Sequence, residues 1–402
     1  MLRLASGVAW VAICVEATNT HSGVEHHELP HVTEFHGMMY DSGMIPLPPS
    51  FFFDIAHGWR DEPVFNPKVH LALEMPSGVA SLDTFELEPV PVGGMPRVVD
   101  QGQSSLAFTA PFKMFSDEGV RVLKAIVQRE AKHAHRNRRN VELRGLYYRS
   151  KFIRSVVTDP TLLSFLANLA GEPLYPHFLL MDAASVNFGK VTNDTVIEGV
   201  VDPWHFDSVA YVGVSLISDI EGMVGGELQV VKRRRKEALS LIYKTKNKVA
   251  EKDLLNVKYA RSGNCIFVQG SEMVHRVTRV ISAAEPRLSL VMAFQPANVF
   301  QPDKSVLDTW RNFDKVDGTA DFEYFRVKAH MMSGALHSLV QTEEPTRDGH
   351  RLARRLRAIT AELERAASLL ENSTSDFIGF VNETELACKT KKSELPVQLL
   401  SL

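Results

Sequence analysis

Trp204-His205-Phe206-Asp207 is the segment richest in chemical content. On a strand, residues two apart project from the same face. His205 and Asp207 therefore present an imidazole nitrogen and a carboxylate oxygen side by side. A later segment, Val274-His275-Arg276-Val277, offers a second imidazole. Two His and one carboxylate hold one face of an octahedral metal and leave three positions open, the donor set of non-haem Fe(II) centres. Oxygen chemistry needs those three positions: two for a chelating co-substrate and one for O2. Beyond His275 stands Arg287-Leu288-Ser289. A guanidinium beside a hydroxyl on one strand face suits a bidentate grip on a carboxylate. An acid that chelates a metal at one end needs such a group at its other end.

Other readings of these residues exist. The two His and Asp207 could form a hydrogen-bonded structural network. Arg287 could pair with Glu285 at the surface, and Ser289 could be a core hydroxyl bonded to backbone. A zinc hydrolase also uses two His and a carboxylate, but it gives Arg287 and Ser289 no task. His26-His27-Glu28 has similar residue types, yet no strand-like Arg-x-Ser follows it at a suitable distance.

The elements that must position these groups are legible from pattern. Apolar, partly β-branched or aromatic runs at 178–181, 209–217, 228–231, 265–268 and 288–294 are short and bounded by turn residues. Such spacing predicts strands of a jelly roll or barrel. An insert at 232–258, with ten Lys/Arg and three Asp/Glu, interrupts them and reads as a solvated flap, with a lid or an anion-binding patch as alternatives. Ser116, followed by Asp117 and Glu118 and by apolar residues at helical spacing, predicts a helix over 116–135. Asp159-Pro160 and Gly171 bracket a second helix over 160–171. Proline-free segments at 319–340 and 346–371 predict a helical hairpin, packed on the barrel or on a second subunit of a homodimer. Three regions follow: an arm of short strands and loops over 1–104, a core over 105–302, and a helical region over 303–402.

Composition narrows the class. The chain has 402 residues, with 45 Lys+Arg against 48 Asp+Glu, a formal charge of −3. That balance speaks against a wholesale polyanion binder, and nucleic acid is not an expected partner. At 45% hydrophobic and 23% charged residues the chain is of ordinary globular composition. No apolar stretch reaches the roughly 18 residues of a membrane span. Cys14, Cys265 and Cys388 exclude a disulfide scaffold and a four-Cys zinc site. Cys265, on an apolar strand, reads as a packing residue. The apolar run from Leu4 to Val15 reads as an opening strand or helix, with a weak signal peptide as the alternative. The expected compartment is cytoplasmic, and sequons at Asn193, Asn372 and Asn382 do not change that.

Residues 201–294 resemble the Fe(II)/2-oxoglutarate-dependent oxygenase superfamily. The resemblance rests on His205-x-Asp207, His275 and Arg287-x-Ser289, in that order and on strand-like segments. Gly225-Gly226-Glu227-Leu228 resembles the turn and strand that follow the first two ligands, and residues 263–268 the strand before the distal His. The resemblance implies an α+β fold: a double-stranded β-helix (jelly-roll) core with flanking helices and a C-terminal helical extension. It implies His205, Asp207 and His275 as ligands of Fe(II), Arg287 as partner of the 2-oxoglutarate C5 carboxylate with help from Ser289, and O2 as oxidant. Asn187 joins as a candidate contact to co-substrate or substrate, while Lys190, Trp204 and Tyr211 read as structural. The implied reaction is hydroxylation, desaturation or oxidative cyclisation of a small molecule in specialised metabolism, an amino-acid-derived compound being one option. This last point rests on a general similarity of Tyr147-Tyr148 and Gly171-Glu172-Pro173-Leu174 to microbial and fungal members. Related halogenases carry a small residue in place of the carboxylate, so Asp207 argues against halogenation. The chain departs from the pattern in the 68-residue gap from Asp207 to His275 and in Asn264, where an acidic residue is common. A macromolecule-directed oxygenase, motivated by the basic insert, and a non-catalytic binding protein are the competing classes.

Overall fold

The structure, a computed structural model, describes residues 62–95, 104–136, 140–177, 179–189, 200–298, 301, 303–313 and 320–372. The apolar run at 4–15, His26-His27-Glu28, Lys190, Asn193 and Asn382 lie outside the described residues.

Eight strands in two facing sheets carry the site. They are β1 (Ala184–Gly189), β2 (Asp202–His205), β3 (Tyr211–Leu216), β4 (Leu228–Val231), β5 (Leu254–Val257), β6 (Asn264–Val268), β7 (His275–Val277) and β8 (Arg287–Pro296). The larger sheet contains the order β1-β8-β3-β6, and the smaller one β2-β7-β4-β5. Every pairing among them is antiparallel. The larger sheet is lengthened at one edge by Val141–Leu143 and His135–Arg136, and at the other by Leu106–Thr109, Val79–Ser81 and Leu87–Glu88.

The side-chain period of two separates two interiors. On β8, Leu288, Leu290, Met292 and Phe294 face one hydrophobic core, while Val291 and Ala293 face the other. The first core is covered by helices α1 (Asp117–Glu130) and α2 (Pro160–Ala170). The Ser116 side chain accepts the Gly119 N–H at 3.0 Å and caps α1, which ends five residues short of the expected 135 and continues as a 3-10 turn. Asp159 caps α2 through the N–H groups of Thr161 and Leu162, both at 3.0 Å. Val120, Leu123, Ile126 and Val127 on α1, and Leu162, Leu166 and Leu169 on α2, lie against the sheet. Each such buried side chain contributes roughly 1.5–3 kcal/mol of transfer free energy.

Two expectations need correction. The strand expected over 178–181 is not formed by its described residues, 179–181: Leu180–Ala183 is a single helical turn, and the strand begins afterwards at Ala184. The basic segment is not a flap outside the sheet. It forms α3 (Arg235–Thr245) and then β5, which pairs with β4 over Leu228–Val231. The charge run hid this because only Ala238 and Ile242 of α3 are buried, and they pack with Trp204, Phe206 and Val231 on the outer face of the small sheet. Arg235 and Lys236 precede those two contacts and Lys244 follows them, so the basic residues sit at the ends of the helix.

The C-terminal region comprises α4 (Leu307–Phe313), α5 (Ala320–Thr342) and α6 (Gly349–Glu371). The last two match the hairpin expected at 319–340 and 346–371. Val327, Met331 and Ala335 of α5 and Ile359 and Ala366 of α6 join the second core. Lys328 is buried against Asp303 and Glu362, both at 2.5 Å, and ties α5 to α6 and to the segment before α4. Burial alone would pull the Lys328 ammonium down, but the Asp303 carboxylate beside it holds it above its ordinary value. Among the described residues no helix is long and apolar enough to cross a membrane.

Candidate metal centre

Strand β2 carries His205 at its end, and the chain continues straight into Asp207. Trp204 and Phe206 turn the other way into the cluster beneath α3. Trp204 is fully buried with the Arg276 guanidinium 4.4 Å above its ring, which agrees with a structural reading. Strand β7 pairs with β2 so that His275 lies directly opposite His205. The two imidazole centroids are 4.2 Å apart.

The three donors converge. His205 Nε2 is 3.7 Å from Asp207 Oδ1, and His275 Nε2 is 3.7 Å from Asp207 Oδ2. One ligand atom from each residue falls within 4.8 Å of the others. Each Nδ1 is fixed by a backbone carbonyl: Pro203 O at 2.7 Å from His205 and Met273 O at 3.1 Å from His275. A ring that donates through Nδ1 keeps its Nε2 lone pair free for a metal. Asp207 Oδ2 is buried and has no hydrogen-bond partner. A buried carboxylate oxygen left so is costly unless a cation meets it. This donor set fits a divalent metal.

Asp202, which sequence reading did not single out, completes the surroundings. It is 2% exposed, its Oδ2 accepts from Asn140 Nδ2 at 3.2 Å, and its Oδ1 lies 3.6 Å from His205 Nδ1. A His-x-Asp pattern draws attention two residues forward, whereas Asp202 stands three residues back and reaches the ring from behind.

Arg287 opens β8 and is 1% exposed. Its Nε donates to Gly226 O at 2.7 Å and its Nη1 to Ser289 Oγ. Its Nη2 is buried without a partner. Burial pushes the guanidinium below its usual value, and Tyr259 and Asp202 partly offset this. The surface pairing with Glu285 does not occur: Glu285 accepts from Lys124 at 2.7 Å. Gly226 sits at φ +69°, and a Cβ there would come within 2.8 Å of Arg287 Cδ. The Gly225-Gly226 turn thus gives Arg287 room as well as an acceptor.

An open pocket of about 810 Å³, counted with the solvent space at its mouth, has the three donors in its wall; Arg287 is not among its lining residues, and its neighbour Ser289 is. Asn187 and Ser289, cross-strand partners on β1 and β8, line it together with His205, Asp207 and His275. Val212, Val214, Val291 and Ala293 make its apolar floor. Glu142, Arg144 and Asp182 form a charged wall, where Arg144 donates to Glu142 at 2.7 Å and bonds Asp182. Thr309 and Trp310 of α4 close another side. None of these wall residues sits in a recognisable sequence motif, because the fold collects them from distant segments. Tyr211 points away to the opposite side of the sheet and donates to Glu172 at 2.5 Å. Cys265 is fully buried, with its thiol pushed up to about 12 by burial, in keeping with packing.

Comparison with known proteins gives the following. A family described as "HalD: Halogenase D" matches residues 114–310, just under half of the chain. Solved structures similar to this chain include the non-heme alpha ketoglutarate dependent epimerase SnoN from nogalamycin biosynthesis, at 15% identity and TM-score 0.36, covering 47% of this chain and 76% of that one. HygX from Streptomyces hygroscopicus, with nickel and 2-oxoglutarate bound, is 13% identical with TM-score 0.33, covering 47% and 83%. EctD from S. alaskensis with bound Fe is 13% identical with TM-score 0.36, covering 56% and 89%. No curated protein matches the sequence significantly.

Proposed function

We propose that this protein is an Fe(II)- and 2-oxoglutarate-dependent oxygenase that oxidises a C–H bond of a small molecule. The observation that carries the reading is the convergence of His205, Asp207 and His275, with both Nε2 atoms 3.7 Å from the Asp207 carboxylate. The strand orders β1-β8-β3-β6 and β2-β7-β4-β5 support a double-stranded β-helix, because successive strands alternate between the two sheets except at β4 and β5, which pair within the smaller one. The match of residues 114–310 to the Halogenase D family supports the same assignment.

Each group then has a task. His205 and His275 bind the metal through Nε2, and Asp207 binds it through one carboxylate oxygen. The unpartnered Nη2 of Arg287, with Ser289 beside it, grips the distal carboxylate of 2-oxoglutarate. Bound Fe(II) and 2-oxoglutarate supply O2 activation and the oxidising power for C–H cleavage. Pro203 and Met273 hold both imidazoles in one tautomer, and the valine floor keeps water from the reacting centre. Asn187 faces the same cavity and is assigned to orienting co-substrate or substrate.

Asp207 favours oxygenation over halogenation, despite the name of the matching family. Its carboxylate takes the coordination position that chloride needs. The concave pocket and its charged wall support a polar small molecule over a macromolecule.

Anaerobic addition of Fe(II) and 2-oxoglutarate tests the reading. A weak visible charge-transfer band is expected in the wild type and absent in His275→Ala. O2-dependent succinate release should follow. No metal retention and no succinate would overturn the oxygenase reading and return the chain to a binding role.

A further inference from the structure

Helix α6 is bound to the rest of the chain along a narrow stripe. Ile359 and Ala366 are its buried apolar residues. Next to that stripe runs a second one that faces solvent: Leu352 (37% exposed), Leu356 (55%) and Leu363 (43%), continued by Thr360 and Ala367. Helix α5 carries its own exposed apolar line, Phe322, Phe325, Leu336 and Val340, the last 85% exposed. Its small residues Ala329 and Ser333 fall in the same line. The spacing of three and four residues makes each line continuous along its helix. An exposed apolar surface of this extent marks an interaction site.

The charges of α6 say what covers it. Its first nine residues carry His350, Arg351, Arg354, Arg355 and Arg357 and no acid, while its last ten residues hold Glu362, Glu364 and Glu371 against Arg365 alone. Arg351 and Arg355 are engaged by Glu343, and Glu362 by Lys328 and Arg365. Arg357 and Glu364 are exposed and have no ion-pair partner among the described residues.

We propose that α6 packs antiparallel against α6 of a second copy of this chain, about a two-fold axis near Thr360, with the exposed line of α5 extending the contact. In that register Leu356 meets the other copy's Leu363. Seven-residue spacing puts His350, Arg357, Glu364 and Glu371 on one flank of the leucine stripe. The two-fold then sets Arg357 against Glu364 of the other copy, and His350 against Glu371. A self-complementary patch of this kind is what a closed two-fold dimer requires, and flanking charges set partner and orientation. Two 23-residue helices about 34 Å long and ~10 Å apart offer about 700 Å² per copy, near the standard size of a stable interface.

Light scattering on the full chain tests this. A species of twice 44.9 kDa is expected. Leu356→Glu alters an exposed side chain, so it should give a folded monomer with an unchanged far-UV spectrum. Arg357→Glu and Glu364→Arg should each weaken dimerisation at low salt by about 10-fold, and the double reversal should restore it. Thr360→Cys, with Cys14 and Cys388 replaced by Ser, should give a symmetric disulfide-linked dimer under mild oxidation. A monomeric wild type, its hairpin covered by its own chain, would overturn the proposal. So would a dimer indifferent to Leu356→Glu and to both charge reversals.

Discussion

Gly226 and Arg287 are built against each other. The Gly226 carbonyl accepts Arg287 Nε at 2.7 Å, and a Cβ on Gly226 would come within 2.8 Å of Arg287 Cδ. One position therefore supplies an acceptor and a clearance. Gly226→Ala is expected to displace the guanidinium, because φ of +69° and the lost space act together. The apparent KM for 2-oxoglutarate should rise at least tenfold while metal affinity stays close to wild type. An unchanged KM would show that Arg287 does not hold the co-substrate.

Arg287→Ala removes the proposed grip itself. Two charge-assisted hydrogen bonds at roughly 1.5 kcal/mol each correspond to about a 100-fold loss of co-substrate affinity. Titration of the Fe(II)-loaded protein with 2-oxoglutarate reads this directly. Metal binding in the absence of co-substrate should persist, which separates the variant from one that has merely unfolded.

Gly270 does for Asp207 what Gly226 does for Arg287. A Cβ at Gly270 would lie 2.2 Å from Asp207 Oδ2, and the Asp207 N–H donates to Gly270 O at 3.0 Å. Gly270→Ala should swing the carboxylate away and lower metal affinity by about 10- to 100-fold, the range for changes that misorient a ligand. Anaerobic titration with Co(II) gives the constant. Wild-type affinity in this variant would remove Asp207 from the ligand set.

Glu323 makes stability depend on pH. It is buried on α5, with Oε1 bonded to Tyr148 and Oε2 accepting the Met181 N–H at 3.1 Å. Burial raises its pKa to about 7 from an ordinary 4.5. A carboxyl with a raised native pKa favours the folded state below about pH 4.5, and that advantage is lost as pH rises to about 7. The full loss is on the order of 3 kcal/mol. Glu323→Gln should abolish this slope, so urea midpoints at pH 5.5 and pH 8 should lie closer together than in the wild type. An unchanged difference between the two pH values would locate the titration elsewhere.

The approach of His205 to Asp207 and the contact of Arg287 with Ser289 were legible because each rests on local spacing that one strand can express, i and i+2. The capped helices α1 and α2 were legible for the same reason, since caps act within three residues. What escaped has another origin. Strand β5 was hidden by the charges of the helix before it, and pairing with β4 outweighed the surrounding composition. The turn at Leu180–Ala183 was hidden because an apolar run of four has no periodicity to read. Asp202 and the wall formed by Glu142, Arg144 and Asp182 became neighbours of the site only through pairing between strands far apart in sequence. No short window contains that information.

The pairing of His205 with His275 has a consequence for assembly order. The two residues sit opposite each other on β2 and β7, with β3 to β6 intervening in the chain. The donor set comes into existence only once that long loop has closed, so it is among the later features to form. In a nascent or partly folded chain His275 is not yet beside His205 and Asp207, so the proposed metal would be held weakly. Any ligand bound by all three donors draws its affinity from the native register and returns it as stability, about 2.7 kcal/mol when free ligand is 100-fold above its dissociation constant. Under the proposed assignment, metal loading and correct closure of the small sheet are a single equilibrium, and each can be used to measure the other.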